Sequence, residues 1–364
     1  MKEERKMLTQ AKPNFTLDAK ANITESLNEN WITEGAFCAK AINLFKEKTG
    51  LKYVYFAPNG TLAIYLALLA LDLPKGSKVL VPSFTFYGSI TPIIFAGLVP
   101  VFVDCDMSTY QVGIKDLEAA IDYEVSAIMA VDIYGRSSPL KQIKDLCDKN
   151  NIKLIEDAAQ AVGVYEASNH AGTFADITTF SLFADKSFSS GEGGLIATNN
   201  SELSNKIKLL RNQGRPDSGT FIHPSLGMNF RVTDLHGGLA FEQFNRWDEI
   251  RKQRQDTWSQ WHKRLNKCEH VKIQNIGDLE SSVPFRFAFT SECKVEIEKF
   301  LTLNDVMVRG FFYPMHLQPQ LQKFKTIECP NTEYLSKYGI CLPLHNEVSV
   351  EIIEFISDGI NKIG

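Results

Sequence analysis

Leu154-Ile155-Glu156-Asp157-Ala158-Ala159-Gln160 is the stretch from which the rest of the chain is read. A short apolar run ends in an acid and then in small residues, the pattern of a buried strand that stops at a crevice. Outward from it, residues 50–200 alternate short β-branched runs with longer amphipathic stretches. Strands are expected at Tyr53–Ala57, Lys78–Pro82, Val99–Asp104, Ala127–Val131, Lys153–Glu156, Ile177–Ser181 and Gly194–Thr198. Helical patterns lie between them at Thr61–Leu71, Tyr87–Phe95, Ile114–Ile121, Leu140–Asn150 and Ser201–Asn212. Near-continuous apolar strands separated by helices imply an α/β fold, a mostly parallel seven-stranded sheet covered on both faces. Ligands of such sheets sit beyond the carboxyl ends of the strands, so chemistry is expected where Asp157 lies.

After Leu235 the character changes. Residues 238–267 read as one long helix, and 270–364 as a smaller α+β unit closed by an amphipathic helix at Glu351–Ile363. The expected division is a large α/β domain over 1–245 and a small C-terminal α+β domain over 246–364. The opening segment, about 35 residues without a strong period, can pack on either. At roughly 150 residues per domain, 364 residues suit two.

Composition narrows the class. With 44% apolar and 23% charged residues the chain is not disordered, collagen-like or a coiled coil. Lys+Arg 39 against Asp+Glu 43 leaves a net charge of −4, with no basic surplus for nucleic acid or an anionic membrane. The longest apolar stretch, Ile64–Leu71, is far short of the ~20 residues a bilayer requires. No apolar run backs the charges of Met1–Lys6, so no secretory leader is expected. The seven cysteines are scattered without CxxC spacing and read as reduced thiols. A cytoplasmic enzyme without a metal site is the expectation.

Three local features bear on chemistry. Gly60-Thr61 follow a strand and open a helix, so their N–H groups and the Thr61 hydroxyl can hold an anion. Thr61 can equally be a simple helix cap, with Gly60 making the turn. Asp157, at the end of its strand, can pair with a pyridinium nitrogen, or cap the next helix. Lys186 lies five residues past Ser181 in a loop closed by Gly191-Glu192-Gly193-Gly194. A lysine among apolar and small residues loses its proton more easily and can form a Schiff base, although a lone loop lysine is ordinarily just solvated. The glycine turn is no dinucleotide fingerprint, because it precedes a strand and lacks the spacing. Taken together, a phosphate cradle, an acid and a lysine are the handles of a pyridoxal 5′-phosphate (PLP) site. Phe86 offers an aromatic to lie on the ring, though aromatic residues usually belong to a core.

At these residues the sequence resembles the DegT/StrS-type sugar aminotransferases, PLP enzymes of fold type I that act on nucleotide-linked keto sugars. The resemblance starts at Trp31-Ile32-Thr33-Glu34-Gly35 and runs through Asn59-Gly60-Thr61-Leu62-Ala63 and Pro82-Ser83-Phe84-Thr85-Phe86. It continues in Glu156-Asp157-Ala158-Ala159-Gln160-Ala161, the Ser181-to-Gly194 loop, Gly227-Met228-Asn229-Phe230-Arg231 and Tyr338-Gly339-Ile340-Cys341-Leu342-Pro343. It implies that Gly60, Thr61, Leu62 and Ser181 bind the cofactor phosphate, Phe86 stacks on the ring, and Asp157 holds the ring nitrogen. It further implies that Gln160 bonds the phenolic oxygen and that Lys186 carries the cofactor and then shuttles protons. Asn229 would reach the phosphate of a neighbouring subunit, which implies a homodimer. Family dehydratases carry His where Lys186 stands, so Lys186 argues for amino transfer. Leu182 and the loop residues Phe183-Ala184-Asp185 depart from the common family pattern.

Arg309-Gly310-Phe311-Phe312-Tyr313-Pro314-Met315-His316 resembles a stretch of the family's GDP-perosamine synthases, with Gly310 in place of a proline. That branch aminates C4 of GDP-4-keto-6-deoxymannose with glutamate. The implied substrate contacts are Tyr313, His316 and Arg231, although His316 can equally be a surface histidine. The implied product is a 4-amino-4,6-dideoxy sugar for a surface polysaccharide or antigen. A C3 aminotransferase acting on a dTDP- or UDP-linked 3-keto sugar keeps every one of these motifs. A PLP-binding regulatory protein is the reading from another class.

Overall fold

The computed structural model of the chain describes residues 7–166, 168–217, 219, 221–324 and 327–363. The hexapeptide Met1–Lys6, read above for a leader, lies outside them. Two helices, α1 (Leu17–Asn28) and α2 (Ala36–Thr49), precede the first strand, β1 (Tyr53–Ala57). There follow α3 (Gly60–Leu71), β2 (Lys78–Pro82), α4 (Thr91–Phe95), β3 (Val99–Val103) and α5 (Ile114–Ala120). Then come β4 (Val125–Val131), α6 (Leu140–Asn150), β5 (Lys153–Asp157) and a small hairpin, β6 (Tyr165–Glu166) and β7 (Asn169–His170). β8 (Ile177–Ser181), β9 (Gly194–Thr198) and α7 (Ser201–Arg211) complete this part.

The large sheet has the order β1-β9-β8-β5-β4-β2-β3. β9 runs antiparallel to both of its neighbours, and the other pairs are parallel. It is the mostly parallel seven-stranded sheet that the strand pattern implies. Alternate strand residues feed two layers, because successive side chains point to opposite faces. Leu80, Ile128 and Leu154 join the core that holds α2 and α6, whereas Val79, Val81, Met129 and Ile155 join the one under α3. Helix α3 is apolar on nearly every side, and such a helix must be buried all round. Two residues separate it from the end of β1, so its N-terminus lies at the carboxyl end of that strand.

Two expected helices divide. Tyr87–Phe95 is a 3₁₀ turn at Tyr87–Ser89 followed by α4. Pro92 lacks an N–H and suits only the first turn of a helix, so it starts a new one. The long pattern at 238–267 becomes α8 (Asp234–Asn245) and α9 (Trp247–Leu265), separated at Arg246 with φ −97° and ψ 23°. The Arg246 guanidinium reaches back to Glu242 at 3.0 Å and to the Asn14 carbonyl at 2.7 Å, and forward to Glu249 at 2.5 Å. The break lets Trp247 turn fully into the core. Periodicity alone does not register a single residue out of phase.

The opening segment touches both halves of the molecule. Leu8 donates to the Asp305 carbonyl at 2.8 Å, while α1 and α2 pack on α8. Asp234 caps α2 by accepting from the N–H groups of Gly35, Phe37 and Cys38 at 2.8–3.1 Å. The remaining elements are β10 (Lys272–Ile273), β11 (Phe287–Thr290), α10 (Lys294–Leu303), α11 (Pro330–Tyr338), β12 (Gly339–Leu342) and α12 (Val350–Asn361). β10, β11 and β12 form an antiparallel sheet over a separate core that includes Trp258, Trp261, Phe287 and Ile353. The seven cysteines all carry free thiols. Among the described residues, no helix is long and apolar enough to cross a membrane.

Candidate active site

A cavity of about 510 Å³ opens at the carboxyl edge of the large sheet. Its lining includes Gly60, Thr61, Leu62, Phe86, Asp157, Gln160, Ser181 and Lys186, brought together from four strand ends and the loops that follow them. The phosphate cradle is made by close backbone approach. A Cβ on Gly194 would lie 2.6 Å from the Asn59 carbonyl group, and one on Gly88 would lie 2.7 Å from Thr61 Oγ1. Only glycine lets β9 and the loop after β2 press against the β1–α3 turn.

That turn is capped by Asn59, whose Oδ1 accepts from the Leu62 N–H at 2.9 Å. Leu62 therefore lines the cavity with its N–H already taken. The helix-end donors left for an anion are the N–H groups of Gly60 and Thr61 and the Thr61 hydroxyl. Ser181 lies directly across, since a Cβ on Gly60 would be 3.0 Å from Ser181 Cβ.

Asp157 ends β5 and is 4% exposed. Its Oδ2 accepts from Ser89 Oγ at 2.7 Å and its Oδ1 from the Ala159 N–H at 3.1 Å. Burial raises its pKa above the ordinary carboxylate value, against the pull of Ser89, the Ala159 N–H and Lys186. A buried carboxyl in that state gains from a cationic partner. Gln160 Oε1 accepts from the Tyr134 N–H at 2.8 Å, so the part of its amide that can still donate is the nitrogen, at a residue that lines the cavity. Phe86 is 62% exposed, so it is not a core aromatic; Phe312 lies beside it with ring centroids 6.3 Å apart.

Lys186 follows β8 in a loop folded back on itself, with Leu182 donating to the Gly193 carbonyl and accepting from the Ser190 N–H. Its Nζ lies 3.8 Å from Asp185 Oδ1 and 5.0 Å from the centre of the Phe285 ring. Burial lowers its pKa below the usual lysine value, helped by Arg286 and Arg309 and opposed by Asp185 and Asp157. A phosphate-sized set of donors, a carboxyl lacking a cation and an amine inclined to lose its proton together fit PLP.

Some residues of the cavity are not legible from motifs. Ser89 orients Asp157, and Asp132 lines the wall beside it. Asp132 is fully buried against Glu156 of the strand below and is pushed up to about 7, chiefly by burial; Glu156 is raised as well. Burial and each other's charge oppose ionisation of both carboxyls at once. Each presents an oxygen, Asp132 Oδ2 and Glu156 Oε1, that receives no other hydrogen bond. Glu156 itself does not line the cavity, as strand alternation requires.

Four expected contacts lie elsewhere in this chain. Asn229 is exposed and outside the cavity; its Oδ1 accepts from the Arg231 N–H at 3.1 Å, and Arg231 donates to Asn212 at 2.8 Å. These bonds close the neck of an arm whose tip exposes Phe221 and Leu226 at 85% and 92%. Tyr313 points to solvent at 55% exposure. His316 is fully buried and touches no part of the cavity: its Nδ1 bonds Ser83 Oγ at 2.6 Å and its Nε2 Glu333 at 3.1 Å. The Met315 N–H donates to the Ser83 carbonyl at 3.1 Å, which turns the residue inward. From the same stretch it is Arg309 and Phe312 that line the cavity.

Residues 14–361 match the model of the DegT/DnrJ/EryC1/StrS aminotransferase family. The GDP-perosamine synthase of Escherichia coli O157:H7 is 31% identical over 355 residues, covering 96% of this chain and 96% of that protein. A UDP-N-acetyl-3-dehydro-alpha-D-glucosamine 3-aminotransferase of Acidithiobacillus ferrooxidans is 29% identical over 86% of this chain and 85% of its own length. Among solved structures, E. coli GDP-4-keto-6-deoxy-D-mannose-3-dehydratase with bound hydrated PLP superposes with a TM-score of 0.90 at 21% identity. That match covers 98% of this chain and all of the other.

Proposed function

The chain belongs to the DegT/DnrJ/EryC1/StrS aminotransferase family, and from that premise we propose that it aminates C4 of a nucleotide-linked 4-keto-6-deoxy sugar. It is a PLP-dependent sugar aminotransferase. The proposed donor is L-glutamate, and the proposed acceptor is GDP-4-keto-6-deoxymannose, giving GDP-perosamine for a surface polysaccharide. What carries the choice of sugar is the 31% identity to a GDP-perosamine synthase across 96% of both chains. The resemblance of the Arg309–His316 stretch supports it through Arg309 and Phe312, the two of its residues that line the cavity.

When bound, PLP supplies a carbonyl for an amine and a ring that draws electron density from the substrate carbon. The protein's own part is assigned as follows. Gly60, Thr61 and Ser181 hold the phosphate at the positive end of α3. Asp157, steered by Ser89, keeps the ring nitrogen protonated, and the Gln160 amide nitrogen donates to the phenolic oxygen. Phe86 and Phe312 cover the ring and exclude water. Lys186, whose burial favours the neutral amine, takes a proton from the donor Cα and returns one to the sugar carbon.

A homodimer is part of this reading. Asn229 and the exposed apolar residues Phe221, Ile222, Leu226 and Met228 ride on one arm, which suits insertion against a second copy. In that arrangement Asn229 completes the phosphate cradle of the neighbouring subunit. Amination at C3 of a UDP-linked 3-keto sugar is the second reading, favoured by the 29% identity to a 3-aminotransferase. Nucleotide-linked 3-keto and 4-keto sugars offered with glutamate, the products read by mass and NMR, separate the two. The expected product is a GDP-linked 4-amino sugar; amination of only a UDP-linked 3-keto sugar would overturn the assignment.

A further inference from the structure

Asp185 stands beside Lys186 in the chain and beside it in space. Its Oδ2 accepts from Arg286 Nη2 at 3.1 Å, and Arg309 Nη1 lies 3.8 Å from the same oxygen. Arg286 is itself fixed: it is 1% exposed, donates to the Gln10 carbonyl at 2.6 Å and lies 4.3 Å over the Phe285 ring. The bond from Arg286 holds the carboxylate against a fixed partner. Its other oxygen, Oδ1, is buried and accepts no hydrogen bond, yet faces Lys186 Nζ at 3.8 Å. A buried carboxylate oxygen left without a donor is costly, and the amine of Lys186 is within one small rotamer change of filling the need.

We propose that Asp185 is a positioning residue whose Oδ1 receives Lys186 as the ammonium that forms once the released amine has taken up a proton. The proposal rests on Lys186 being the cofactor lysine. Amino transfer must release the lysine in one half-reaction and recover it in the other. Held against Asp185, that ammonium stays at the cavity, which both residues line, ready to return its proton. The charged groups facing the pair are Asp157 on β5, Arg286 before β11, Arg309, and Arg254 on α9. Burial first, and then Arg286 and Arg309, drive the proton off Lys186, and Asp185 with Asp157 draws it back. Asp185 is the nearest of these and the one with an oxygen to spare.

The test is made on the apoprotein, by acetylating Lys186 with acetic anhydride across pH and quantifying the modified peptide by mass spectrometry. Only the neutral amine reacts, so the midpoint reports its protonation. Asp185→Asn keeps the shape and the Arg286 hydrogen bond, and should lower the midpoint by about 1 pH unit. Arg309→Gln, at a half-exposed position, should move it upward. In the loaded enzyme Asp185→Asn should cut kcat with little change in KM for the sugar. An unmoved midpoint in Asp185→Asn overturns the proposal, and if that variant does not fold, an unmoved midpoint in Arg309→Gln does so. Failure of the underlying reading looks different: Lys186→Ala would then still turn over, whatever the acetylation curves show.

Discussion

The floor of the cavity and the arm between Gly214 and Met228 are built on opposite plans. On the floor, Gly60, Asp157 and Ser181 stand at or just past the ends of β1, β5 and β8, strands whose last two residues are buried. Each is held by backbone packing and by partners from the same chain, such as Ser89 on Asp157. The arm is drawn in at its neck, where a Cβ on Gly227 would lie 2.3 Å from the Gly214 nitrogen. Beyond the neck it shows large apolar side chains to solvent, with Leu226 at 92% exposure. A floor of this kind can be finished by one chain. An arm of this kind gains burial only when a second surface meets it, at ~25 cal/mol for each Å² covered.

The largest effect is expected on the floor. Lys186→Ala should abolish turnover, losing at least the ~10²–10⁴ that acid–base catalysis supplies, while circular dichroism and sedimentation stay unchanged. Asn229→Asp, on the arm, should expel the cofactor by setting a carboxylate against a phosphate. Mixing these two nearly dead proteins under conditions of subunit exchange should restore activity, because one site of each mixed dimer is then intact. Exchange without recovery would mean that floor and arm belong to a single chain.

A smaller loss separates two neighbours on β5. Asp157→Asn removes one member of a buried charge pair, a change worth ~3–5 kcal/mol, and should weaken cofactor retention measured by equilibrium dialysis. Glu156→Gln, on the opposite strand face, should retain cofactor nearly as wild type does. Equal loss from both would mean that the floor is not read by strand alternation.

The smallest effect lies behind the floor. Asp132 is raised to about 7, far above its value in an unfolded chain. The folded protein therefore binds the extra proton between about pH 4 and 7, and its stability falls as pH rises through that window. Asp132→Asn should flatten the decline, seen as a smaller drop in Tm between pH 5 and 8 than the wild-type apoprotein is expected to give, at about 1 °C per kcal/mol for a chain of this size.

Strands of the large sheet were readable to within two residues, because a buried strand can hide in no other pattern. Lys153–Glu156 was expected and Lys153–Asp157 is found; Ala127–Val131 begins two residues earlier, at Val125. Residues at strand ends, Gly60, Asp157 and Ser181, came into view for the same reason. What escaped the sequence depends on contacts between distant segments. Ser89 lies in a stretch that reads as helix, and its bond to Asp157 has no local signature. The Leu62 N–H is lost to Asn59 through a cap that sequence alone cannot distinguish from an open helix end. The burial of His316 follows from Ser83 and Glu333, one more than 200 residues away in the chain and one on a later helix.

The antiparallel run of β9 within the large sheet has a kinetic consequence. β1 pairs only with β9, Tyr53 against Thr198 and Ala57 against Gly194, so its edge of the sheet waits for a segment made much later. A chain emerging from the ribosome carries the helix end at Gly60 early but cannot press it against Gly194 until that strand has appeared. Pairing across so long a loop is slow, since the entropy of closure is lost before the contacts repay it. The cofactor should therefore select finished molecules over nascent ones and act as a late lock on folding, stabilising only chains that have closed that edge.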